Sequence, residues 1–327
     1  MLIRLLTDRA PIRQLLAPFC IFAMISCSVN EVSAQKQVEV APIPLNGQDS
    51  QLNQIGQLHY RGGIELAASG KWFGGFSGLR WRNGALHAVS DAGYWFSFVP
   101  EEPEGTLTGI KSVAHGRLLD SDGEKLKGKK NRDAESLAIA SNGDWLIGFE
   151  RDHRIARYSS FSDAAQPSVY DLRDIFGKIS SNQGIEAMGA LKGGIFGCVQ
   201  RQLDRGPNCA VVDGEGVERI SIVTPPPLDK LDGEIADLVI GPDSAAFILF
   251  RSYSPANGNG AAIVRRDPGG SLETLAVLRP PFSLDNMEGL ALRTVDAKTY
   301  LYVMSDDNFS DTQRTILMKF EVIAGAR

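Results

Sequence analysis

Along most of the chain, short apolar runs alternate with turns rich in Gly, Asn and Asp, and no segment sustains a long 3.6-residue period. Runs such as Ala85 to Val89, Trp145 to Phe149, Ile195 to Val199, Ala246 to Phe250 and Tyr300 to Met304 have the length and flanks of β-strands. A turn precedes such runs, as in Ser141-Asn142-Gly143-Asp144 or Lys192-Gly193-Gly194. Before the turn lies an earlier short strand that opens on a recurring triplet. The triplets are Ser77-Gly78-Leu79, Glu135-Ser136-Leu137, Glu186-Ala187-Met188, Ala236-Asp237-Leu238 and Glu288-Gly289-Leu290, spaced by 58, 51, 50 and 52 residues. Third and fourth strands, such as Ile155 to Tyr158 and Ala261 to Arg265, follow less distinctly, and Asp171 to Phe176 reads as a short helix.

Four strands in a unit of about fifty residues, repeated along the chain, predict the blades of an all-β β-propeller. The count gives five blades; residues 30–76 and the long first interval leave room for a sixth. The last unit has three clear strands, Leu290 to Arg293, Tyr300 to Met304 and Thr315 to Val322. The spare N-terminal strand Leu58 to Ala67 is expected to complete that blade and close the ring, which protects the terminal edges. A β-sandwich is the competing all-β reading.

Residues 1–34 read as a leader. Arg4, Arg9 and Arg13 give a positive start, and Leu15 to Ile25 is an apolar run too short to span a bilayer as a stable helix. Two cleavage readings stay open. Val32-Ser33-Ala34 resembles an ordinary signal-peptidase site, whereas Ala23-Met24-Ile25-Ser26-Cys27 resembles a lipobox in which Cys27 is acylated. The first makes the protein periplasmic or secreted, and the second anchors it by lipid to the outer membrane. Residues 35–57 then read as a linker and 58–327 as a single domain.

The chain holds 34 basic and 39 acidic side chains; removing the leader, with three Arg, one Asp and one Glu, takes the net charge from −5 to −6. This balance argues against a nucleic-acid partner, which would be met by a basic stripe. Outside the leader only Cys198 and Cys209 remain, eleven residues apart around a polar segment. In an oxidising compartment they are expected to form a disulfide across a hairpin.

Propeller inner strands line a central channel, so equivalent residues at their ends form a ring. Carboxylates Glu135, Glu186, Asp237 and Glu288 recur at the start of the first strand. Just past the second strand lie Asp91, Glu150-Arg151, Gln200-Arg201, Arg251 and Ser305-Asp306-Asp307. Both sets are expected at one rim, because first and second strands are antiparallel. Glu135, Glu186 and Glu288, with Asp91, Asp306 and Asp307, would hold a hard cation such as Ca²⁺ through oxygen ligands. Arg151, Arg201 and Arg251 would clamp an anionic group. The competing reading is structural, with these residues pairing to stitch blades together.

Other candidates are weaker. Gly75-Phe76-Ser77-Gly78 lacks the last Gly of a nucleophile elbow, since position 79 is Leu. His153 falls at the expected rim, His87 falls mid-strand, and Lys125 to Arg132 reads as a solvated basic loop.

Several segments together resemble a family: Phe76-Ser77-Gly78-Leu79 with Ser90-Asp91, Arg132-Asp133-Ala134-Glu135-Ser136-Leu137 with Phe149-Glu150-Arg151, Gln183-Gly184-Ile185-Glu186-Ala187-Met188, and Asn286-Met287-Glu288-Gly289-Leu290 with Ser305-Asp306-Asp307-Asn308-Phe309. They look like the phytase-like, "esterase-like activity of phytase", family of exported bacterial proteins over about 60–325. The resemblance implies a propeller-like fold and hydrolysis of phosphate or other esters, and β-propeller phytases use Ca²⁺. The expectation is an exported ester hydrolase, a metal-dependent phosphoesterase acting on a small anionic ester at the channel mouth. The alternative is a non-catalytic binding protein that uses the same charged ring.

Overall fold

Successive hairpins fold into five antiparallel sheets around one axis, four of them four-stranded and the fifth, which closes the ring, six-stranded. The computed structural model describes residues 38–323 except 169, 178, 181–183, 200–206, 226–227 and 229–232. The leader with Cys27, and the pair Gln200-Arg201, lie outside the described residues. Three N-terminal strands come first: β1 (Val38–Pro42), β2 (Gln54–Ile55) and β3 (Leu58–Ala68). Blade 1 is β4 (Phe76–Arg82), β5 (Ala85–Ser90), β6 (Tyr94–Glu101) and β7 (Gly109–Arg117). After the short helix α1 (Lys129–Arg132), blade 2 is β8 (Ala134–Ile139), β9 (Trp145–Phe149), β10 (Arg154–Tyr158) and β11 (Gln166–Pro167). Helix α2 (Leu172–Phe176), capped by the Asp171 side chain, leads into blade 3: β12 (Ile185–Leu191), β13 (Gly194–Val199), β14 (Cys209–Asp213) and β15 (Gly216–Ile220). Blade 4 is β16 (Glu234–Ile240), β17 (Ala246–Ser254), β18 (Gly258–Arg266) and β19 (Leu272–Leu278). Blade 5 is β20 (Asn286–Val295), β21 (Lys298–Asp306) and β22 (Thr315–Val322), completed by β3.

The ring therefore closes as the spare strand requires: β3 runs antiparallel to β22, from Leu66 opposite Thr315 to Leu58 opposite Val322. The count is five blades. Residues 38–57 are not a plain linker. Strand β1 pairs along β3, with Val38 opposite Ala68; Leu45 is buried, and Asn46 bridges to Phe282. The Val38-Glu39-Val40 alternation suits an outer edge strand, and Pro42 sits at its end, where its missing N–H is harmless.

Each gap between neighbouring blades holds its own apolar cluster, five in all. Between blades 5 and 1, Tyr302, Met304 and Leu317 pack against Phe76, Leu79, Phe96 and Phe98, and Trp81 stacks on Tyr302 at 5.4 Å. Between blades 1 and 2, Trp95 and Trp145 sandwich Phe161 at 5.6 and 4.4 Å. These large rings fill the wedge that opens between radially splayed sheets. The Cys198–Cys209 disulfide forms and joins directly opposed residues of β13 and β14.

Inner strands β4, β8, β12, β16 and β20 neighbour one another around the axis. Their inward edges carry backbone groups that no further strand can pair. One buried ion pair answers much of that need. Arg80 and Asp237 form two hydrogen bonds of 2.9 Å, and Arg80 also donates to the carbonyls of Leu79, Met188, Leu238 and Leu290. Asp237 accepts from the backbone N–H groups of Leu79, Leu238 and Leu290. The pair plugs the channel, with Arg80 only 3% exposed and Asp237 fully buried.

Candidate functional site

Every inner strand carries a β-bulge at the same place. The ladder skips one residue between Ser77 and Leu79, Ala134 and Ser136, Ile185 and Ala187, Ile235 and Asp237, and Met287 and Gly289. The residues left unpaired are Gly78, Glu135, Glu186, Ala236 and Glu288. A bulge re-aims its side chain and bends the strand. Here three of the five bulges deliver a glutamate to the same mouth. Gly78 shows why the first blade differs: its φ is +61°, and a Cβ there would lie 2.8 Å from the Leu137 backbone nitrogen.

Asp237 is thus one residue past its bulge and belongs to the plug, a correction to its expected place in the ring. The bulge alignment also sets Gly78, rather than Ser77, level with Glu135. Ser77 instead donates its hydroxyl to Glu135 at 3.1 Å and is nearly buried, which leaves it a positioning partner rather than a nucleophile.

Glu135, Glu186 and Glu288 feel one another's charge and are joined by Asp133, Glu150 and Glu234. Burial, followed by the charges of Glu186, Asp133, Glu150 and Glu288, pushes the Glu135 carboxyl well above the usual range. Burial raises Glu186 and Glu288 to about 7, against the pull of Arg251 on both. Glu150 also rises to about 7, through burial and then the neighbouring Asp133. Carboxyls tuned this close to neutrality suit general acid–base work.

The expected arginine clamp is not free to act as one. Arg251 lies 3.1 Å from Glu288 and donates to the Asn286 side chain at 3.1 Å. Arg151 is held by Asp133 and, at 3.6 Å, by Glu150. Both guanidiniums are occupied because acids outnumber bases at this rim. Lys129, from the run that is solvated as expected, reaches the rim with its half-exposed side chain. Its ammonium meets Asp91 at 3.1 Å and Asp133 at 3.0 Å.

Of the six expected cation ligands, Glu135, Glu186 and Glu288 feel one another's charge, and Asp306 feels those of Glu288, Asp307 and Asp91. Asp307 is occupied by the backbone N–H groups of Gly75 and Phe309 and by the Thr315 hydroxyl. Asp91 is paired with Lys129, and Asp306 accepts from the Asn308 backbone. Burial and then Glu288 raise Asp306 well above its usual range. Among the described residues, the tightest carboxylate trio is Asp133, Glu135 and Glu150, whose ligand oxygens lie within 4.8 Å of one another. Its all-oxygen donors fit a hard cation such as Ca²⁺. Sequence reasoning placed Glu135 and Glu150 at this rim but did not count Glu150 as a ligand, and it missed Asp133. Strand periodicity could not have found Asp133, which precedes β8 at the end of α1, while Glu135 sits in the bulge. His153 lines a separate cavity with Arg173, Gly177 and Ile179, and burial lowers its pKa.

The family described as "Phytase-like: Esterase-like activity of phytase" matches residues 71–309, which span all five bulges and the acidic mouth. The chain belongs to the phytase-like family. No curated protein matches this phytase-like chain. Solved structures that resemble it include a Podospora anserina α-L-arabinofuranosidase in complex with cellotriose, at 10% identity over 81% of this chain and 97% of that chain, TM-score 0.46. Myxococcus xanthus glutaminyl cyclase follows at 12% identity, 77% and 92% coverage and TM-score 0.42. Regucalcin from Agrobacterium tumefaciens, a calcium-binding protein, has 14% identity, 80% coverage of each chain and TM-score 0.42.

Proposed function

We propose that this phytase-like protein is an exported, cation-assisted ester hydrolase, acting on phosphate or other small anionic esters at the acidic mouth. The observation that carries the reading is the convergence there of Glu135, Glu186 and Glu288 beside the Asp133–Glu135–Glu150 oxygen trio. Asp133, Glu135 and Glu150 would hold a Ca²⁺ ion in place of the Lys129 and Arg151 cations that now meet Asp133, and the ion when bound would supply charge to polarise the ester and neutralise an anionic substrate. Glu186 and Glu288, poised near neutral pH, hold and release the protons that water attack and leaving-group departure require. Ser77 fixes Glu135 through its hydroxyl, and the plug below keeps water and substrate to one side of the channel.

The test is hydrolysis of aryl phosphates, phytate and short aryl acyl esters, with Ca²⁺ and with chelator. Ca²⁺-dependent turnover is expected, and Glu186→Gln should lower kcat by roughly a hundredfold or more, as loss of a general acid–base group does. Absence of turnover on every ester in both conditions sinks the reading. A non-catalytic binding role is favoured by one observation, the pairing of Arg151 and Arg251 with carboxylates, and would show Ca²⁺ binding without turnover. Export is part of the proposal: the disulfide suits an oxidising compartment, and mass spectrometry of the mature N-terminus separates cleavage after Ala34 from acylation at Cys27.

A further inference from the structure

Beside the acidic mouth, on the side of blades 4 and 5, lies a cavity of about 560 Å³. Its wall differs from the mouth in chemistry. Asn259, Asn286, Asn308 and Gln313 line it, with Asp285 behind them. The amides are fixed by one another and by their neighbours. Asn308 donates to Gln313 at 3.2 Å, Asn259 donates to Asp285 at 3.2 Å, and Asn286 donates to Glu288 at 2.9 Å while accepting from Arg251. Among the described residues, the Asn259 and Asn308 carbonyl oxygens and the Gln313 amino group have no protein partner. At the edge stands Tyr253, 66% exposed, the second largest exposure among the large apolar side chains of the described residues.

Prepositioned donors and acceptors set around a flat apolar ring match a ligand with many hydroxyls and apolar C–H faces. The charge pattern excludes a polyanion as the better fit. The one cation in the wall, Arg251, is paired with Glu288, which leaves Asp285 as the further charged group of the wall. We propose that this cavity binds an uncharged polyhydroxylated ring of the carbohydrate type, with Tyr253 as its stacking platform and the amides reading its hydroxyls. As a substrate subsite the idea rests on the hydrolase reading, placing the ester's polyol portion here and the scissile bond toward Glu288. As a binding site it stands alone.

The test measures equilibrium binding to the full chain in chelator, by calorimetry and saturation-transfer NMR, without turnover. The probes are methyl glycosides of glucose, galactose, mannose and arabinose, together with myo-inositol, and phytate as inositol's polyanionic counterpart. At least one uncharged probe should bind, and phytate more weakly. Tyr253→Ala should weaken that binding by roughly tenfold, with Tyr253→Phe restoring it, because stacking needs the ring and not the hydroxyl. The proposal is overturned if no uncharged probe binds, if phytate binds more tightly than all of them, or if Tyr253→Ala leaves the affinity within about twofold. Sugar binding with no ester turnover would refute the hydrolase and leave this site standing; turnover without sugar binding would do the reverse.

Discussion

Two opposing forces act on the carboxyls of Glu186 and Glu288. Desolvation favours the protonated form and Arg251 favours the ionised one, with desolvation the stronger, so both reach about 7 from the usual 4.5. The native state therefore keeps protons that the unfolded chain has already lost. Their stabilising contribution is fully present below about pH 4.5 and is lost as the pH rises through about 7. In chelator, the thermal midpoint is expected to fall between pH 5 and pH 8, and added Ca²⁺ should recover part of that loss at pH 8. Scanning calorimetry across that range checks both signs. The plug obeys a different rule. Asp237→Ala strands the Arg80 guanidinium without a counter-charge and is expected to cost about 3–5 kcal/mol in denaturant unfolding. Changing both residues to apolar ones, Arg80→Met with Asp237→Leu, should cost less than the single change if charge burial dominates, although the backbone groups they serve lose partners too.

At the level of strands, the bulges decide which residues meet. The blade period was legible because apolar runs and Gly-Asn turns leave a compositional mark at every repeat, and Leu58 to Ala67 stood out as a strand lacking a sheet. A bulge leaves no such mark. Gly78, Glu135, Glu186, Ala236 and Glu288 share a position in the ladder but only three share a side chain, so Asp237 could be mistaken for a ring member while sitting one residue beyond it. The arginines were misjudged for a related reason. Sequence spacing placed Arg151 and Arg251 at equivalent points, but whether a guanidinium is free depends on how many acids surround it, and Asp133 and Glu234 come from outside the repeating triplets. The disulfide is an element-level feature in the same sense. It fastens β13 to β14 in blade 3, whose outer strand β15 is exposed along most of its length. Replacing both cysteines by alanine is expected to lower stability by about 2–3 kcal/mol, the loss for so short a loop in the chain-entropy model, measured by the denaturation midpoint.

For the molecule as a whole, closure of the ring joins the two ends of the fold in one sheet. Strand β3 contributes Leu58, Ile64 and Leu66 to the core, whereas β1 lies outside it at the edge. A chain beginning at residue 58 is expected to keep one cooperative unfolding transition at reduced stability. A chain beginning at residue 70 should lose cooperativity, because β22 is left with an open apolar edge; circular dichroism melts of the two chains check this. Blade arrays held only by neighbour-to-neighbour contacts can in principle fray from either side. The guanidinium at the axis works against that tendency. It starts in blade 1 and finds its acceptors in blades 3, 4 and 5 as well as its own, so a half-assembled circle offers it too few partners. One arginine thereby proofreads the assembly, rewarding only the circle in which distant blades have all arrived.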